Sequence, residues 1–452
     1  MEKPLIKLIP DFIKSHIAER HDLKKAIINS WWLLLEKIFR SIINLFVIIW
    51  IGRYLGPEQY GLYNYVFAYI VIFTSIASMG IDGIVIRELV NKPGSKDTII
   101  GSAFFIKISG GILALILSAV VTFFLELDNI QLRYFILIIS AGFVFQAFDV
   151  VDSWFQSRVE SKFIVYSKSA ALALISISRI ILILSKASLR FFIIAGLIEM
   201  ILYAAGFMIT YLIRGNSIRK WKINSGKVKE IINESWPLII SGIMVAVFFR
   251  IDQIMLGRMG SFHDVGIYNS ALKISEFFNL VPLIILPSIY PAMIRYRELN
   301  DKKFNYMIEK ITAIMFTVSI MILVFTAVLS KTIVTLFFGS SYSNASIPLI
   351  ILSAASIFNF SAALRIQVFF IKKLTIYNIY CGAIGVLCIV LLNYLLIPRI
   401  GVTGAAAANL ISVFISGFAS SFLFGRLRHL GVLQLRGFVF FWKYLNFRMD
   451  KT

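Results

Sequence analysis

Two cysteines and four histidines are all that 452 residues contain. Cys381 and Cys388 share one apolar run, so neither a disulfide framework nor a thiolate metal site is indicated. His16, His21, His263 and His429 lie outside the apolar runs and form no ligand cluster, so no metal site or cofactor is expected. Charge is sparse too, at 15% of residues, and acids are the scarcer sign, with 24 Asp and Glu against 45 Lys and Arg. That low charged fraction, beside 59% hydrophobic residues, excludes an ordinary soluble globular protein of this size. A cleavable signal peptide is not expected. Residues 1–28 mix Lys3, Lys7, Lys14, Arg20, Lys24 and Lys25 with apolar positions, and no small-residue cleavage site follows a short apolar core.

Long apolar runs are what the chain has in abundance. Runs of roughly 20 residues are long enough to cross a bilayer as helices. Twelve such spans are predicted, near 31–52, 62–80, 99–124, 134–157, 165–185, 190–213, 236–257, 267–291, 311–330, 347–370, 374–397 and 402–425. Lys and Arg concentrate on the cytoplasmic side of membrane proteins. With the N-terminus inside, the cytoplasmic segments hold 31 of them and the opposite loops 7, which predicts that both termini are cytoplasmic. The net charge of +21 then reflects topology and contact with anionic lipid, and nucleic acid is not an expected partner. The predicted organisation is a basic N-tail (1–30), a six-helix bundle (31–213), a basic cytoplasmic linker (214–235), a second six-helix bundle (236–425) and a basic C-tail (426–452). Leu5, Ile6, Leu8, Ile9, Phe12, Ile13 and Ile17 recur at helical spacing, as in a helix lying in the interface or an amphipathic cytoplasmic tail. In the C-tail, Val432–Phe447 is too short and too charged to span, and is expected at the interface.

One break between spans nearly recurs. Arg53–Tyr65 reads RYLGPEQYGLYNY, and Arg258–Ser270 reads RMGSFHDVGIYNS. Each follows the first span of a six-span half and carries Gly-[Leu/Ile]-Tyr-Asn. Six is even, so the halves share one orientation and form a parallel repeat. The expected fold is all-α and polytopic, with two parallel six-helix bundles around a central cavity.

At these residues the chain resembles the bacterial polysaccharide and O-antigen (Wzx-like) flippases of the multidrug/oligosaccharidyl-lipid/polysaccharide exporter superfamily. Four stretches carry the resemblance: YLGPEQYGLYN (54–64), RIDQIMLG (250–257) followed by GIYNSA (266–271), LFFGSSY (336–342) and IPRIGVTGAAAAN (397–409). WFQSRVE (154–160) is an imperfect fifth. The resemblance implies export of an undecaprenyl-pyrophosphate-linked oligosaccharide across the bacterial cytoplasmic (inner) membrane. Polysaccharide polymerase and chain-length proteins are the partners it suggests. It does not identify the sugar.

Ionisable residues within spans are costly unless paired or hydrated, which makes them functional candidates. Depth along the hairpins suggests opposite-charge partners: Glu36 with Arg40, Lys107 with Asp149, Arg179 with Glu199, Asp252 with Lys273, and Arg250 with Glu276. Lys37, Asp152 and Arg365 remain, and Arg365 is expected to snorkel. Arg40, Arg250 and Lys273 are the first candidates for holding a pyrophosphate, and Lys107, Arg179 and Arg365 the second. Asp149, Asp152, Asp252 and Glu276 are candidates for a coupled H+ or Na+. Pro282, Pro287 and Pro291 predict a bend or break in the eighth span, with Ser109-Gly110-Gly111 a weaker hinge candidate. Phe67, Tyr69, Phe73, Phe358 and Phe360 are suited either to stacking on sugars or to packing. A cation-coupled multidrug antiporter on the same scaffold is the competing reading. A membrane enzyme finds no support, since the sequence offers no nucleophile–base spacing, metal cluster or sizeable external loop.

Overall fold

The computed structural model describes residues 21–126 and 129–445. The helical face predicted in the N-tail, residues 5–17, lies outside them. The described chain is helical, with no strand among the described residues. Among the described residues, ten helices are long and apolar enough to cross a membrane. Two of these are broken internally and each accounts for two of the predicted spans, so the expected twelve are all present. The chain is a multi-pass membrane protein.

The elements, in order, are α1 (His21–Ser78), α2 (Asp82–Asn91), α3 (Lys96–Leu125), α4 (Ile130–Ser140), a 3₁₀ stretch (Ala141–Asp149) and α5 (Val150–Ser157). Then come α6 (Lys162–Leu184), α7 (Leu189–Ile213), α8 (Ser225–Met259), α9 (Phe262–Phe278), α10 (Leu280–Leu299) and α11 (Asp301–Phe337). The last are α12 (Ser346–Ile371), α13 (Ile376–Phe414), a π stretch (Ile415–Ala419), α14 (Ser420–Leu423), α15 (Gly425–Val439) and α16 (Phe441–Leu445).

The breaks fall where the sequence has glycine or proline. α1 turns at Gly56, whose φ of 73° suits a residue without a Cβ, and Pro57 follows. α13 is interrupted at Ile400 and Gly401, just after Pro398. The eighth span breaks at Asn279 between α9 and α10. Pro282 then sits in the first turn of α10, where a missing N–H costs nothing, while Pro287 and Pro291 lie within the helix. The Ser109-Gly110-Gly111 hinge is not seen, because α3 runs through it unbroken. Its glycines serve close packing instead: a Cβ at Gly111 would come within 2.6 Å of the Phe143 carbonyl oxygen.

The chain forms two compact units. One comprises residues up to Val47 and Phe73–Gly242, the other Ile48–Ile72 and Ile243–Thr452. Residues 48–72 thus pack with the second unit, although chain order puts them in the first half. In the first unit a buried core runs through Val85, Ile99, Ile106, Val150, Phe155 and Tyr211. The linker is narrower than its composition suggests, since α8 begins at Ser225. Its coil is pinned to this unit by Lys222 N–H donating to the Asp97 carbonyl (3.1 Å) and Trp221 Nε1 donating to the Tyr211 hydroxyl (3.0 Å).

In the second unit the two copies of the repeated turn meet. A Cβ at Gly61 would lie 1.6 Å from the Phe262 carbonyl oxygen, and one at Gly266 would lie 2.0 Å from the Pro57 carbonyl oxygen. Each copy's glycine therefore admits the other copy's backbone. Asn64 Nδ2 donates to the Tyr60 carbonyl and Asn269 Nδ2 to the Val265 carbonyl, the same bond four residues back in both copies. The 336–342 motif closes on this junction. The Tyr342 hydroxyl donates to the Gly52 carbonyl (2.6 Å), and its ring contacts Tyr60 and Phe338. The aromatic candidates pack as well. Tyr69, Phe73 and Phe360 are buried, Phe67 contacts Tyr63, and Phe358 contacts Phe414, Phe418 and Phe438.

Candidate functional site

Charges inside the spans are gathered into small groups, and each unit holds its own. In the first unit Arg40 Nε reaches Glu36 at 3.2 Å, one helical turn away on α1, and Tyr203 of α7 lies beside Arg40. Lys37 is exposed. Arg179 of α6 pairs with Glu199 of α7 at 2.7 Å. These two predicted pairs are present.

The predicted Lys107–Asp149 pair is not. Lys107 is 1% exposed, and its ammonium meets Asp82 at 2.5 Å. Asp82 reaches it because Met79 and Gly80, both with positive φ, turn the chain back after α1. Asp149 ends the 3₁₀ stretch and makes no direct ion pair among the described residues, although Lys107 and Lys168 are within electrostatic reach. Asp152, left without a partner by depth counting, pairs with Lys168 at 2.7 Å and accepts from Gln156 at 3.0 Å.

The second unit holds two groups, and they divide Arg250 from Asp252. At about 100° per residue the two side chains leave α8 roughly 200° apart. Arg250 Nη1 reaches Glu276 at 3.2 Å, and Lys273 Nζ reaches the other oxygen of the same carboxylate at 2.8 Å. The side chains of Arg250, Lys273 and Glu276 are 21%, 22% and 33% exposed, although all three lie in apolar spans. Two cations sharing one carboxylate leave a net charge of +1 at a partly accessible place. A guanidinium fork and an ammonium there can hold a phosphate through charge-assisted hydrogen bonds.

Asp252 faces away from that group and is 1% exposed. It does not pair with Lys273, contrary to expectation, because Lys273 and Glu276 lie three residues apart on one face of α9. Its carboxylate is instead surrounded by neutral donors from three other segments. Tyr268 Oη donates to Oδ2 at 2.5 Å, Asn393 Nδ2 to Oδ1 at 2.6 Å, and Asn409 Nδ2 to Oδ2 at 3.0 Å. The Oδ1 of Asn393 is buried and has no hydrogen-bond partner among the described residues. All the hydrogen-bond donors to Asp252 are neutral, and Arg250 acts on it only through space, a suitable environment for a proton or a small cation.

Arg365 does not snorkel. It is 3% exposed, and its fork donates to Ser420 Oγ and Ser421 Oγ, both at 3.1 Å, and to the Ser416 carbonyl at 2.5 Å. Those partners lie on and just after the π stretch, which widens the helix where the guanidinium inserts. Among the second-choice cations, Arg365 and Lys107 are therefore enclosed by protein.

Asp82, Lys168, Asn393 and Asn409 were missed as site residues. The asparagines carried a readable signal, since each is an amide set among apolar residues, IVLLNYLLIP and GAAAANLIS. No cluster of three or more metal-ligating side chains occurs among the described residues.

Comparison with known proteins places these groups in context. Over 422 residues the chain is 24% identical to the capsular polysaccharide biosynthesis protein CapF of Staphylococcus aureus, covering 88% of this chain and 99% of CapF. Among solved structures, an inward-facing multidrug resistance transporter of the MATE family superposes with a TM-score of 0.67 at 15% identity, covering 88% of this chain and 96% of that one. The lipid II flippase MurJ in an inward closed conformation gives a TM-score of 0.65 at 18% identity, covering 92% of both chains. These likenesses establish a shared fold. The family profile described as polysaccharide biosynthesis protein matches residues 27–297, more than half of the sequence, and the chain belongs to that family.

Proposed function

We propose that this protein is a flippase. It moves an undecaprenyl-pyrophosphate-linked oligosaccharide repeat unit from the inner to the outer leaflet of the bacterial cytoplasmic membrane by alternating access, for capsule, O-antigen or exopolysaccharide assembly. Both termini are cytoplasmic in this reading, and the protein is a transporter with no catalytic residue. The observation that carries it is the Arg250–Glu276–Lys273 group, a partly exposed net positive charge within apolar spans. An amphiphilic cation would be repelled there, and a pyrophosphate attracted. Membership in a polysaccharide biosynthesis family and the fold in common with a lipid flippase support the same reading.

In the proposed mechanism the Arg250 fork and the Lys273 ammonium take the pyrophosphate oxygens, and Glu276 keeps the two cations from repelling each other when the site is empty. Arg40 is the corresponding candidate in the first unit. Asp252 carries the coupling ion, H+ or Na+, because it is a buried carboxylate that meets no cation directly and takes its hydrogen bonds from neutral donors. Asp149 is the second candidate. Asp152 and Glu276 are less suited, since each already meets a cation.

A deletion strain tests the proposal. Loss of surface glycan with lipid-linked repeat units accumulating inside is expected. Intact glycan with altered drug sensitivity would instead support a multidrug antiporter and overturn the flippase reading.

A further inference from the structure

Helix α15 is divided lengthwise into three sectors. At about 100° per residue, Leu427, Leu430, Leu433, Gln434 and Gly437 occupy one sector, Val432, Leu435 and Val439 a second, and His429 and Arg436 a third. The first sector is buried and fixed to the second unit. Leu427, Leu430 and Leu433 join its core with Phe304, Ile308 and Phe360. Gln434 Nε2 donates to Ser361 Oγ (2.8 Å) and to the Ser361 carbonyl (3.1 Å). Gly437 lets the helix lie against α11, where a Cβ would come within 2.9 Å of the Glu309 carbonyl oxygen. The orientation of α15 is therefore set by protein contacts.

What the second and third sectors face follows from that orientation. Val432, Leu435 and Val439 are 37%, 43% and 46% exposed and form one apolar stripe. Past the turn at Phe440 the exposed rings of Phe440 and Trp442 follow, 5.9 Å apart. Exposed Arg426, Arg428, Arg436 and Lys443 carry positive charge, and residues 425–443 contain no acid, although Arg436 reaches Glu309 of α11 at 3.6 Å and Arg428 Nε donates to the Phe422 carbonyl. Arg428 leaves the helix within the stripe, between the directions of Leu435 and Val439, and its long stem lets the guanidinium rise out of an apolar environment. A helix with apolar, basic and protein-packed sides fits one place, the boundary between acyl chains and headgroups. Trp and Phe near the helix end suit the same depth.

We infer that α15 and α16 form an interfacial platform, with Val432, Leu435 and Val439 in the acyl region and the basic side chains bound to anionic phospholipid headgroups. The occupant is the anionic leaflet, on grounds of charge complementarity: Arg426, Arg428 and Lys443 have no acid on this strip, and like charges repel a second copy of it. Phosphate headgroups are natural acceptors for Arg. The platform holds α11 and α12, through Glu309 and Ser361, at a fixed depth in the bilayer.

The test uses the full-length protein in nanodiscs, with Cys381→Ala and Cys388→Ala as background. Single substitutions Val432→Cys, Leu435→Cys, Val439→Cys, His429→Cys and Arg436→Cys are labelled with a polarity-sensitive bimane. Labels at 432, 435 and 439 should be blue-shifted, quenched by brominated acyl chains and protected from acrylamide, whereas those at 429 and 436 should be quenched by acrylamide. Protection should be stronger in phosphatidylglycerol than in phosphatidylcholine, and Arg428→Gln with Lys443→Gln should remove that difference. Equal acrylamide quenching at all five positions would overturn the interfacial placement. Protection that persists in detergent and rises with protein concentration would assign the stripe to a second copy and overturn it too. Identical behaviour in the two lipids would overturn the anionic-headgroup assignment. None of these readouts depends on transport, so failure here is distinguishable from failure of the flippase reading.

Discussion

Replacing Glu276 by Gln removes the acid that Arg250 and Lys273 share. The two cationic nitrogens contact different oxygens of one carboxylate, at 3.2 and 2.8 Å, and so lie within about 8 Å of each other. At an effective dielectric constant of ~20, two like charges at ~8 Å repel by about 2 kcal/mol. Mutational scales bracket the same figure, because removing one partner of an ion pair costs about 0–1 kcal/mol when it is exposed and about 3–5 when it is buried. Glu276→Gln should therefore lower the amount of folded protein. Arg250→Gln leaves Glu276 paired with Lys273 and should leave protein levels near normal, yet surface glycan should be lost. The double variant Arg250→Gln/Glu276→Gln relieves the repulsion, so it should recover protein level without recovering export. The assay is surface polysaccharide in a deletion strain, normalised to membrane-inserted protein, with lipid-linked intermediates measured in parallel. Full export by the double variant would refute the assignment, because the group would then serve only its own neutralisation.

Further outcomes follow from the packing and from the second buried acid. Gly61→Ala and Gly266→Ala each drive a Cβ into a backbone carbonyl. Each should destabilise by about 1–3 kcal/mol or more, read as a lower melting temperature of the purified protein. Asp252→Asn should remove the dependence of export on Na+ or pH. It should also cost about 1–3 kcal/mol, because its new amide must face one of three donors already in place. Retained ion dependence in that variant would shift the coupling role to Asp149. Arg365→Leu removes three hydrogen bonds, to the Ser416 carbonyl and the Ser420 and Ser421 hydroxyls, while the Ser420 hydroxyl keeps its own bond to the Ser416 carbonyl. It should reduce thermal stability while the surviving protein transports at a normal specific rate.

The membrane class, the number of spans and the positions of most breaks were readable in the chain, because they depend on local facts. Twenty apolar residues span a bilayer wherever they occur. Breaks fell at or beside glycine and proline, as at Gly56, Gly401 and Asn279 to Pro282, although Gly110, Gly111, Pro287 and Pro291 sit within unbroken helix. The i,i+4 pair Glu36–Arg40 and the hairpin pair Arg179–Glu199 were legible for the same reason, since depth alone aligns them.

Depth was insufficient where rotation or a turn intervened. Asp252 and Lys273 match in depth, but Asp252 leaves α8 on the opposite side from Arg250, and Lys273 meets Glu276 on its own helix. Lys107 finds Asp82 because two left-handed residues fold α2 back, a geometry that hydropathy does not encode. Arg365 is enclosed because a neighbouring helix widens into a π turn that receives it.

The repeated Gly-[Leu/Ile]-Tyr-Asn shows the division most clearly. Its recurrence, and hence the parallel duplication, is written in the sequence. That the copies interlock, each glycine admitting the other's carbonyl, and that residues 48–72 pack with the second unit, was decided only by the tertiary structure. Close backbone approach needs two surfaces brought together, and one strand of sequence records only the absence of a side chain on each.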